Sequence, residues 1–257
     1  MTPYSKQNIT NNEIKAVTKV LKSKFLTKGP LINFFEQKVA KKVNAKFAVS
    51  SNSGSSSLHL ACLALNIKKG DLVWTVPNTY AASANCAINC GAKIDFVDIN
   101  SETFNISVLE LEKKLIQAKK KKKLPSVVIP VHFAGQPTDQ KKIWKLSKKY
   151  RFKIIEDASH SLGAKHQKEL VGSCRWSDIT VFSFHPVKII TTGEGGMALT
   201  NNKEYARRMK MFSENGIDFD KKIKNCKKQF SWKYSQEESG YNYRMNEISA
   251  ALGISQL

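Results

Sequence analysis

A regular alternation of short apolar runs with helical stretches constrains the fold of this chain more than any other feature. Amphipathic or small-residue segments such as SSSLHLACLALN and DQKKIWKLSKKY lie between most of the strand-like runs. Because apolar strands separated by helices are typical of parallel sheets covered on both faces, the sequence predicts an α/β fold with a mainly parallel sheet. GGMALTN (195–201) predicts one further, hairpin-like strand. The predicted parallel strands are FAVSS (47–51), LVWTV (72–76), AKIDFVDI (92–99), SVVIPVHF (126–133), FKIIED (152–157) and ITVFSF (179–184).

The net charge of +21 raises the question of nucleic-acid binding. Nearly all of the excess is lysine, including a variable stretch at 218–234, and arginine occurs only at positions 151, 175, 207, 208 and 244. Proteins that read bases and phosphates rely on the planar fork of arginine. Lysines scattered over helices fit a solvated surface, whose positive field would also favour an anionic small molecule. We therefore expect no nucleic-acid partner, and salt-sensitive retention on DNA would support the alternative.

Neither a membrane span nor a secretory leader is predicted. The longest apolar runs are too short to cross a bilayer, and the N-terminal residues MTPYSKQNITNNEIKAV are polar. The five cysteines, at 62, 86, 90, 174 and 226, form an odd set without a Cys-x-x-Cys pair. This pattern argues against a disulfide framework and against a zinc site. We expect a cytoplasmic protein without a structural metal.

Polar turns follow the predicted strands. NSGSSS (52–57), PNTY (77–80), DASH (157–160) and HPVK (185–188) each come directly after an apolar run. In open α/β sheets ligands bind at the carboxyl ends of the strands. The sequence therefore predicts that these turns meet at one edge of the sheet and form a binding site there.

The residue types in these turns point to one cofactor. NSGSSS can present helix N-terminal amides to a phosphate, or it is an ordinary N-cap. Asp157 suits a cationic ring nitrogen or a turn cap, and His160 is a donor or a packed turn residue. A desolvated Lys188 could attack a carbonyl, and Gly193–Gly196 would let backbone approach a ligand. A turn that can bind phosphate, a carboxylate, an aromatic residue that can stack on a ring and a lysine, all at one edge of the sheet, together suggest pyridoxal 5′-phosphate (PLP).

The pairing of DASHSLGA (157–164) with FSFHPVKIITTGEGG (182–196) resembles the DegT/DnrJ/EryC1/StrS sugar-nucleotide aminotransferases, in the fold-type I (aspartate aminotransferase-like) class. The similarity extends from KFLTKGPLINFFEQKVA (24–40) to the last residue. It implies a homodimer with shared active sites, in which PLP carries an amino group from glutamate to C4 of a nucleotide-linked 4-keto sugar.

Two segments are most similar to the branch of the family that makes pseudaminic acid: YSKQNIT (4–10) and SFHPVK (183–188). This resemblance implies a UDP-linked 4-keto-6-deoxy sugar of the L-AltNAc type as the amino acceptor. Keto sugars of the perosamine or bacillosamine type are the alternative substrates. The sugar 3-dehydratase branch has histidine in place of the reactive lysine, so Lys188 counts against it.

The resemblance also implies a role for each matching residue. Three residues would be catalytic: Lys188 would bond covalently to PLP and move a proton, Asp157 would pair with the pyridinium nitrogen, and His160 would lie beside the ring hydroxyl. Asn242 would contact the cofactor phosphate in the neighbouring subunit. The remaining cofactor-binding residues would be Ser55, Ser56 and Ser183 at the phosphate and Tyr80 stacked on the ring.

The chain departs from the family pattern in three places. ENG (214–216) replaces the usual SHG, so Asn215 stands where relatives have histidine, and GSSS (54–57) replaces the commoner GTSA. The smaller C-terminal domain of the family has no counterpart here. We expect residues 1–257 to form the PLP-binding large domain, ending inside the helix that leads to the small domain. A truncated, non-catalytic relative is the alternative.

Overall fold

A computed structural model describes residues 5–218 and 234–257 of the protein. Tyr4, Cys226 and most of the lysine-rich stretch 218–234 lie outside the described residues. The helices are α1 (Asn11–Leu21), α2 (Pro30–Val43), α3 (Gly54–Ala64), α4 (Ala82–Ile88), α5 (Val108–Lys120), α6 (Gln140–Tyr150), α7 (Lys203–Ser213) and α8 (Glu247–Gln256). The strands are β1 (Phe47–Ser51), β2 (Leu72–Thr75), β3 (Lys93–Phe96), β4 (Val127–Val128), β5 (Lys153–Asp157), β6 (Lys165–His166), β7 (Glu169–Leu170), β8 (Ile179–Ser183) and β9 (Gly196–Thr200).

Seven strands form one sheet in the order β1-β9-β8-β5-β4-β2-β3. The pairs β2–β3, β2–β4, β4–β5 and β5–β8 are parallel, whereas β9 runs antiparallel to both β8 and β1. The predicted mainly parallel sheet and the additional hairpin-like strand are both confirmed. β6 and β7 form a separate two-stranded hairpin.

Helices cover both faces of the sheet, because successive strand residues point to opposite sides. On one face Ile155 and Val181 pack in a cluster with α3, α4 and α7. On the other face Ile154 packs with α5 and α6, and Phe182 packs with α2 and α8. The central helix α3 is buried almost all round, which explains why its sequence GSSSLHLACLA consists mostly of small or apolar residues and has no charged residue.

Two strands are clearly shorter in the structure than the apolar runs that predict them. β3 ends at Phe96, and the run 126–133 contributes only Val127–Val128. Pro130 has no amide proton, and its carbonyl accepts a hydrogen bond from the Asp157 amide at 3.0 Å. Beyond a single bridge at Val131, the chain turns through Ala134, whose φ is +50°. This early departure from the sheet brings residues 131–134 over the end of β5.

The two edge strands, β1 and β3, are protected in different ways. The Ser50 amide of β1 donates to the Glu36 carboxylate at 2.8 Å, and the Lys46 amide donates to the Asn201 side chain at 2.9 Å. On β3, Lys93 and Asp95 are exposed charged residues. Backbone groups at each edge are therefore paired with side chains or surrounded by charges.

A buried carboxylate links the end of the described chain to its beginning. Helix α2 begins after Gly29, which has no side chain to cap it. The Leu31 and Ile32 amides instead donate to the Glu247 carboxylate of α8, at 3.0 and 3.2 Å. Glu247 is 2% exposed. The carboxylate therefore replaces the missing cap and fixes α8 against α2.

Among the described residues, none of the helices is long and apolar enough to cross a membrane.

We predict that Glu247→Ala destabilises the fold by about 1–3 kcal/mol, since it leaves two helix amides buried without acceptors. Chemical denaturation followed by circular dichroism measures this change in the free energy of unfolding. Glu112→Ala is the control, because it removes only an exposed ion pair with Lys149 and should change stability by less than about 1 kcal/mol. Equal effects of the two variants would contradict the capping role of Glu247.

Candidate active site

A cleft of about 850 Å³ opens at the carboxyl ends of the central strands. The turns that follow β1, β2, β5 and β8 supply its walls, as the strand order requires. Of the eight residues that the sequence assigns to the site, this cleft brings together Ser55, Ser56, Tyr80, Asp157, His160, Ser183 and Lys188.

Lys188 lies on the connection between β8 and β9. This connection folds back on Phe184, whose carbonyl accepts hydrogen bonds from the Thr192 amide at 3.0 Å and the Thr191 hydroxyl at 3.1 Å. The Phe184 amide donates to the Gly195 carbonyl at 2.9 Å. These bonds explain why a β-type run is followed by two threonines and several glycines. They hold the lysine in a fixed loop at the edge of the cleft.

The Lys188 amine is partly withdrawn from water and contacts Nε2 of His160. Burial lowers the pKa of Lys188 below its ordinary value of 10.5, and the charge of Asp157 opposes this shift. The uncharged amine is the nucleophilic form. Lys188 is therefore favoured as a nucleophile at lower pH than a surface lysine.

His160 lies in the turn after β5, and its imidazole contacts the Lys188 amine. Burial lowers the pKa of His160, the charge of Lys188 lowers it further, and Asp157 opposes both effects. A Cβ atom at Gly135 would lie 2.7 Å from the His160 carbonyl oxygen. Only glycine lets residues 133–135 pack this closely against the histidine. The lowered pKa of His160 favours the neutral imidazole beside the lysine.

Asp157 is the last residue of β5 and is 5% exposed. Its Oδ2 accepts a hydrogen bond from the Ser83 hydroxyl at 2.6 Å, and Oδ1 accepts from the Ser159 hydroxyl at 2.6 Å and the Ser159 amide at 3.2 Å. The Thr79 hydroxyl in turn contacts that of Ser83 at 2.7 Å. Both carboxylate oxygens are therefore fixed in orientation, as a partner for a cationic ring nitrogen requires.

The N-terminus of α3 forms the opposite wall of the cleft. Ser53 caps the helix, since its hydroxyl accepts a hydrogen bond from the Ser56 amide at 3.0 Å. The first-turn amides of Gly54 and Ser55 have no acceptor within the helix. The first turn also carries no acidic residue, so the helix dipole leaves a positive end facing the cleft.

The three serines assigned to the phosphate meet at this helix end but differ in whether their hydroxyls are exposed or already hydrogen-bonded. Ser55 is exposed to the cleft, whereas the Ser56 hydroxyl donates to the Asn52 side chain at 2.6 Å. Ser183 lies close to the helix, because a Cβ atom at Gly54 would be 2.9 Å from the Ser183 Cβ. The structure thus supplies amides and hydroxyls together around one anion-sized space.

Tyr80 stands at the mouth of the cleft and is 81% exposed. It is therefore not a buried aromatic that packs in the core. An exposed ring that lines a cleft is available to stack on a flat ligand.

A family model described as the DegT/DnrJ/EryC1/StrS aminotransferase family matches residues 7–257. The chain belongs to this family. It is 41% identical over 257 residues to the UDP-4-amino-4,6-dideoxy-N-acetyl-β-L-altrosamine transaminase of Campylobacter jejuni strain 81-176, and the match covers 100% of this chain and 64% of the relative. The chain thus spans less than two thirds of the length of that relative.

Solved structures agree with this assignment. The Helicobacter pylori aminotransferase of pseudoaminic acid biosynthesis has a TM-score of 0.86 and 32% identity over 99% of this chain and 64% of its own. A Streptococcus pneumoniae protein solved in its PLP form has a TM-score of 0.87 and 28% identity over 99% of this chain and 66% of its own. The predicted PLP-dependent transferase fold is confirmed by these neighbours. PLP is the cofactor of aminotransferases in the DegT/DnrJ/EryC1/StrS family.

Two residues singled out by comparison with the DegT/DnrJ/EryC1/StrS family lie away from the cleft. Asn242 is exposed and does not line it, although the neighbouring Tyr243 carbonyl accepts a hydrogen bond from the Asn52 amide at 2.8 Å. Asn215 occupies a left-handed turn with φ of +61°. Asparagine tolerates this conformation, and the residue takes no part in the walls of the cleft.

Ser83 and Ser159, the side-chain donors to Asp157, are not among the residues that the sequence predicts for the site. Ser159 could have been found, because serine two residues after aspartate often donates to it in a turn. Ser83 could not, since it lies 74 residues earlier on α4, whereas Asp157 ends β5.

We predict that Asp157→Asn shifts the reactivity of Lys188 to still lower pH. The aspartate charge favours the ammonium form, so its removal should lower the pKa of Lys188 further. Competitive labelling with acetic anhydride at several pH values, with mapping of the acetylated lysine, gives the titration midpoint without any cofactor. Asp95→Asn, which removes an exposed partner of Lys114, should leave the Lys188 midpoint unchanged. A midpoint that rises or stays fixed in Asp157→Asn would refute this coupling.

Proposed function

We propose that the chain is the PLP-binding domain of an aminotransferase that moves an amino group from glutamate to C4 of a UDP-linked 4-keto-6-deoxy sugar. The observation that carries this proposal is the convergence of Lys188, His160 and Asp157 in one cleft opposite an open helix N-terminus. The altrosamine transaminase, which is 41% identical over the full length of this chain, supports the choice of sugar. The similarity to the Helicobacter pylori aminotransferase supports a role in pseudaminic acid synthesis.

The residues of the cleft fit PLP at each of its functional groups. The amides of Gly54 and Ser55 and the hydroxyls of Ser55 and Ser183 would hold the phosphate. Asp157 would hold the ring nitrogen, and Tyr80 would cover the ring. When bound, PLP supplies an aldehyde carbon that bonds to amines and a cationic ring that withdraws electrons from the attached carbon.

The side chains of this chain divide the proton chemistry between them. Burial lowers the pKa of Lys188, so its ammonium gives up a proton more readily than that of a surface lysine, and the uncharged amine would accept a proton from a substrate carbon and return it to a neighbouring one. His160 keeps its Nε2 against that amine, and its own lowered pKa favours the neutral imidazole, which limits repulsion between the two groups. Asp157 stays oriented through Ser83 and Ser159, and its charge would hold a proton on the ring nitrogen.

The boundaries and surroundings of this domain are proposed on similar grounds. Residues 1–257 would be the PLP-binding large domain, and a smaller domain of the kind that the family resemblance implies would complete the substrate side of the cleft. A reducing, cytoplasmic setting is supported by the described cysteines, Cys62, Cys86, Cys90 and Cys174, which are all free.

A spectroscopic titration tests the cofactor assignment. We predict that PLP added to the purified chain gives a visible absorption band that glutamate then shifts, and that borohydride fixes the cofactor on Lys188. Lys188→Ala should lose the band and the fixation, whereas Lys168→Ala, which changes an exposed residue in the turn between β6 and β7, should keep both. A band of equal strength in Lys188→Ala would contradict the role of this lysine.

A homodimer with shared sites is supported by the position of Asn242, which is exposed beside the α3 wall but absent from the cleft of its own chain. We predict that Asn242→Ala weakens PLP retention. A mixture of Asn242→Ala and Lys188→Ala chains should recover tight retention in part, because one site of each mixed dimer then has both residues. Dialysis followed by measurement of bound cofactor checks this. Retention that is no better in the mixture than in Asn242→Ala alone would exclude sharing through this residue.

A further inference from the structure

A short segment, residues 241–243, carries the asparagine that we assign to the neighbouring subunit's site. Asn242 is exposed and forms an antiparallel bridge with Glu214, whereas the flanking Tyr241 and Tyr243 are half-buried. Because alternate residues of an extended segment point to the same side, the two tyrosine rings lie together on the inner side. They stack with their centroids 4.9 Å apart and their planes 14° apart. The placement of Asn242 therefore depends on what holds these two rings.

His59 of α3 contacts both rings. It is 3% exposed, and its ring centroid lies 4.9 Å from that of Tyr241, edge-on, and 5.9 Å from that of Tyr243. Its Nδ1 is hydrogen-bonded to the Tyr243 hydroxyl at 3.2 Å. A buried imidazole thus fixes the tyrosine pair to the central helix.

The turn at 214–216 holds the same segment through its backbone. The Asn215 amide donates to the Tyr241 carbonyl at 2.9 Å. A side chain at Gly240 would collide with the Gly216 amide, so the turn packs directly against the chain that leads into the tyrosines. The sequence ENG, which departs from the usual SHG of the family, therefore acts here as a backbone support.

The segment also contacts the wall of the chain's own cleft. The Asn52 amide donates to the Tyr243 carbonyl at 2.8 Å, and the Asn52 side chain accepts from the Ser56 hydroxyl at 2.6 Å. A change at His59 therefore has two routes to a cofactor: through α3 to its own cleft, or through Asn242 to the neighbouring one. The contacts favour the second route, since His59 lies beyond the first turn of α3 and its ring meets the tyrosines.

We propose that His59 is a positioning residue for the cofactor site of the neighbouring subunit. Its hydrogen bond keeps Tyr243 packed on α3, and the tyrosine pair presents Asn242 outward, towards the phosphate in the neighbouring cleft. This inference rests on the proposed sharing of sites between two copies of the chain. The imidazole itself touches neither cofactor nor substrate.

Two conservative variants remove the hydrogen bond and keep the aromatic packing: His59→Phe and Tyr243→Phe. Each should speed the loss of PLP from the loaded chain on dialysis by about threefold to tenfold, the contribution of one hydrogen bond. The double variant should lose PLP no faster than either single variant, because both changes remove the same bond. Effects that multiply in the double variant would overturn the proposal.

Subunit mixing shows which site His59 serves. His59→Phe chains are mixed with Lys188→Ala chains, and borohydride reduction after dialysis counts only the PLP that remains on Lys188. Every such lysine then belongs to a His59→Phe chain. In mixed dimers the other chain supplies a native His59 and Asn242, so part of the PLP should be retained as tightly as in wild type.

Ser55→Ala is the control for mixing, because Ser55 lines the cleft of its own chain. Its PLP loss should stay equally fast when it is mixed with Lys188→Ala. Recovery for Asn242→Ala without recovery for His59→Phe would overturn the positioning role and leave the shared site standing. Failure of both mixtures to recover would contradict the shared site as well.

Discussion

A carboxylate withdrawn from water needs hydrogen-bond donors, and Asp157 collects its donors from separate parts of the chain. Ser83 comes from α4, Ser159 from the turn after β5, and the backbone of Pro130 fixes the strand end. An unpaired buried charge would be costly, so these segments must be in place together. The shortening of β4 fixes the backbone of the same residue, because the Pro130 carbonyl accepts a hydrogen bond from the Asp157 amide. The geometry of the cleft therefore depends on how this one carboxylate is satisfied.

The other wall of the cleft depends on close packing of backbone. Gly54 leaves room for Ser183, and Gly196 lies directly against the Ser53 carbonyl, so that side chains at either glycine would push the helix away. The antiparallel strand β9 supplies Gly196 and also closes the loop that carries Lys188. The anion-binding helix end and the reactive lysine are thus positioned by the same hairpin. Their relative placement follows from backbone contacts rather than from long side chains.

Local patterns in the sequence predict the parts of this structure that depend on neighbouring residues. Alternation of apolar runs with helices predicts the sheet, and the turns after 157 and 184 predict Asp157 and Lys188 at its edge. Contacts between distant segments leave no such pattern. The hydrogen bond that the Leu31 amide donates to Glu247 joins residues 216 positions apart. No local sequence pattern near either residue predicts it. Ser83 escaped prediction for the same reason. The roles of the site residues on a bound cofactor stay predictions.

The two edges of the sheet have a consequence for how this domain can associate. On β1 the Glu36 carboxylate already accepts a hydrogen bond from the Ser50 amide, just before β1 the Asn201 side chain accepts from the Lys46 amide, and on β3 charged side chains flank the backbone. An incoming strand from another molecule would have to displace these partners or bury the charges of Lys93 and Asp95. Edge-to-edge aggregation by strand addition is therefore disfavoured for this seven-stranded sheet. For contact between molecules, side-chain surfaces, whose shape and charge can specify one partner orientation, are favoured over these edges.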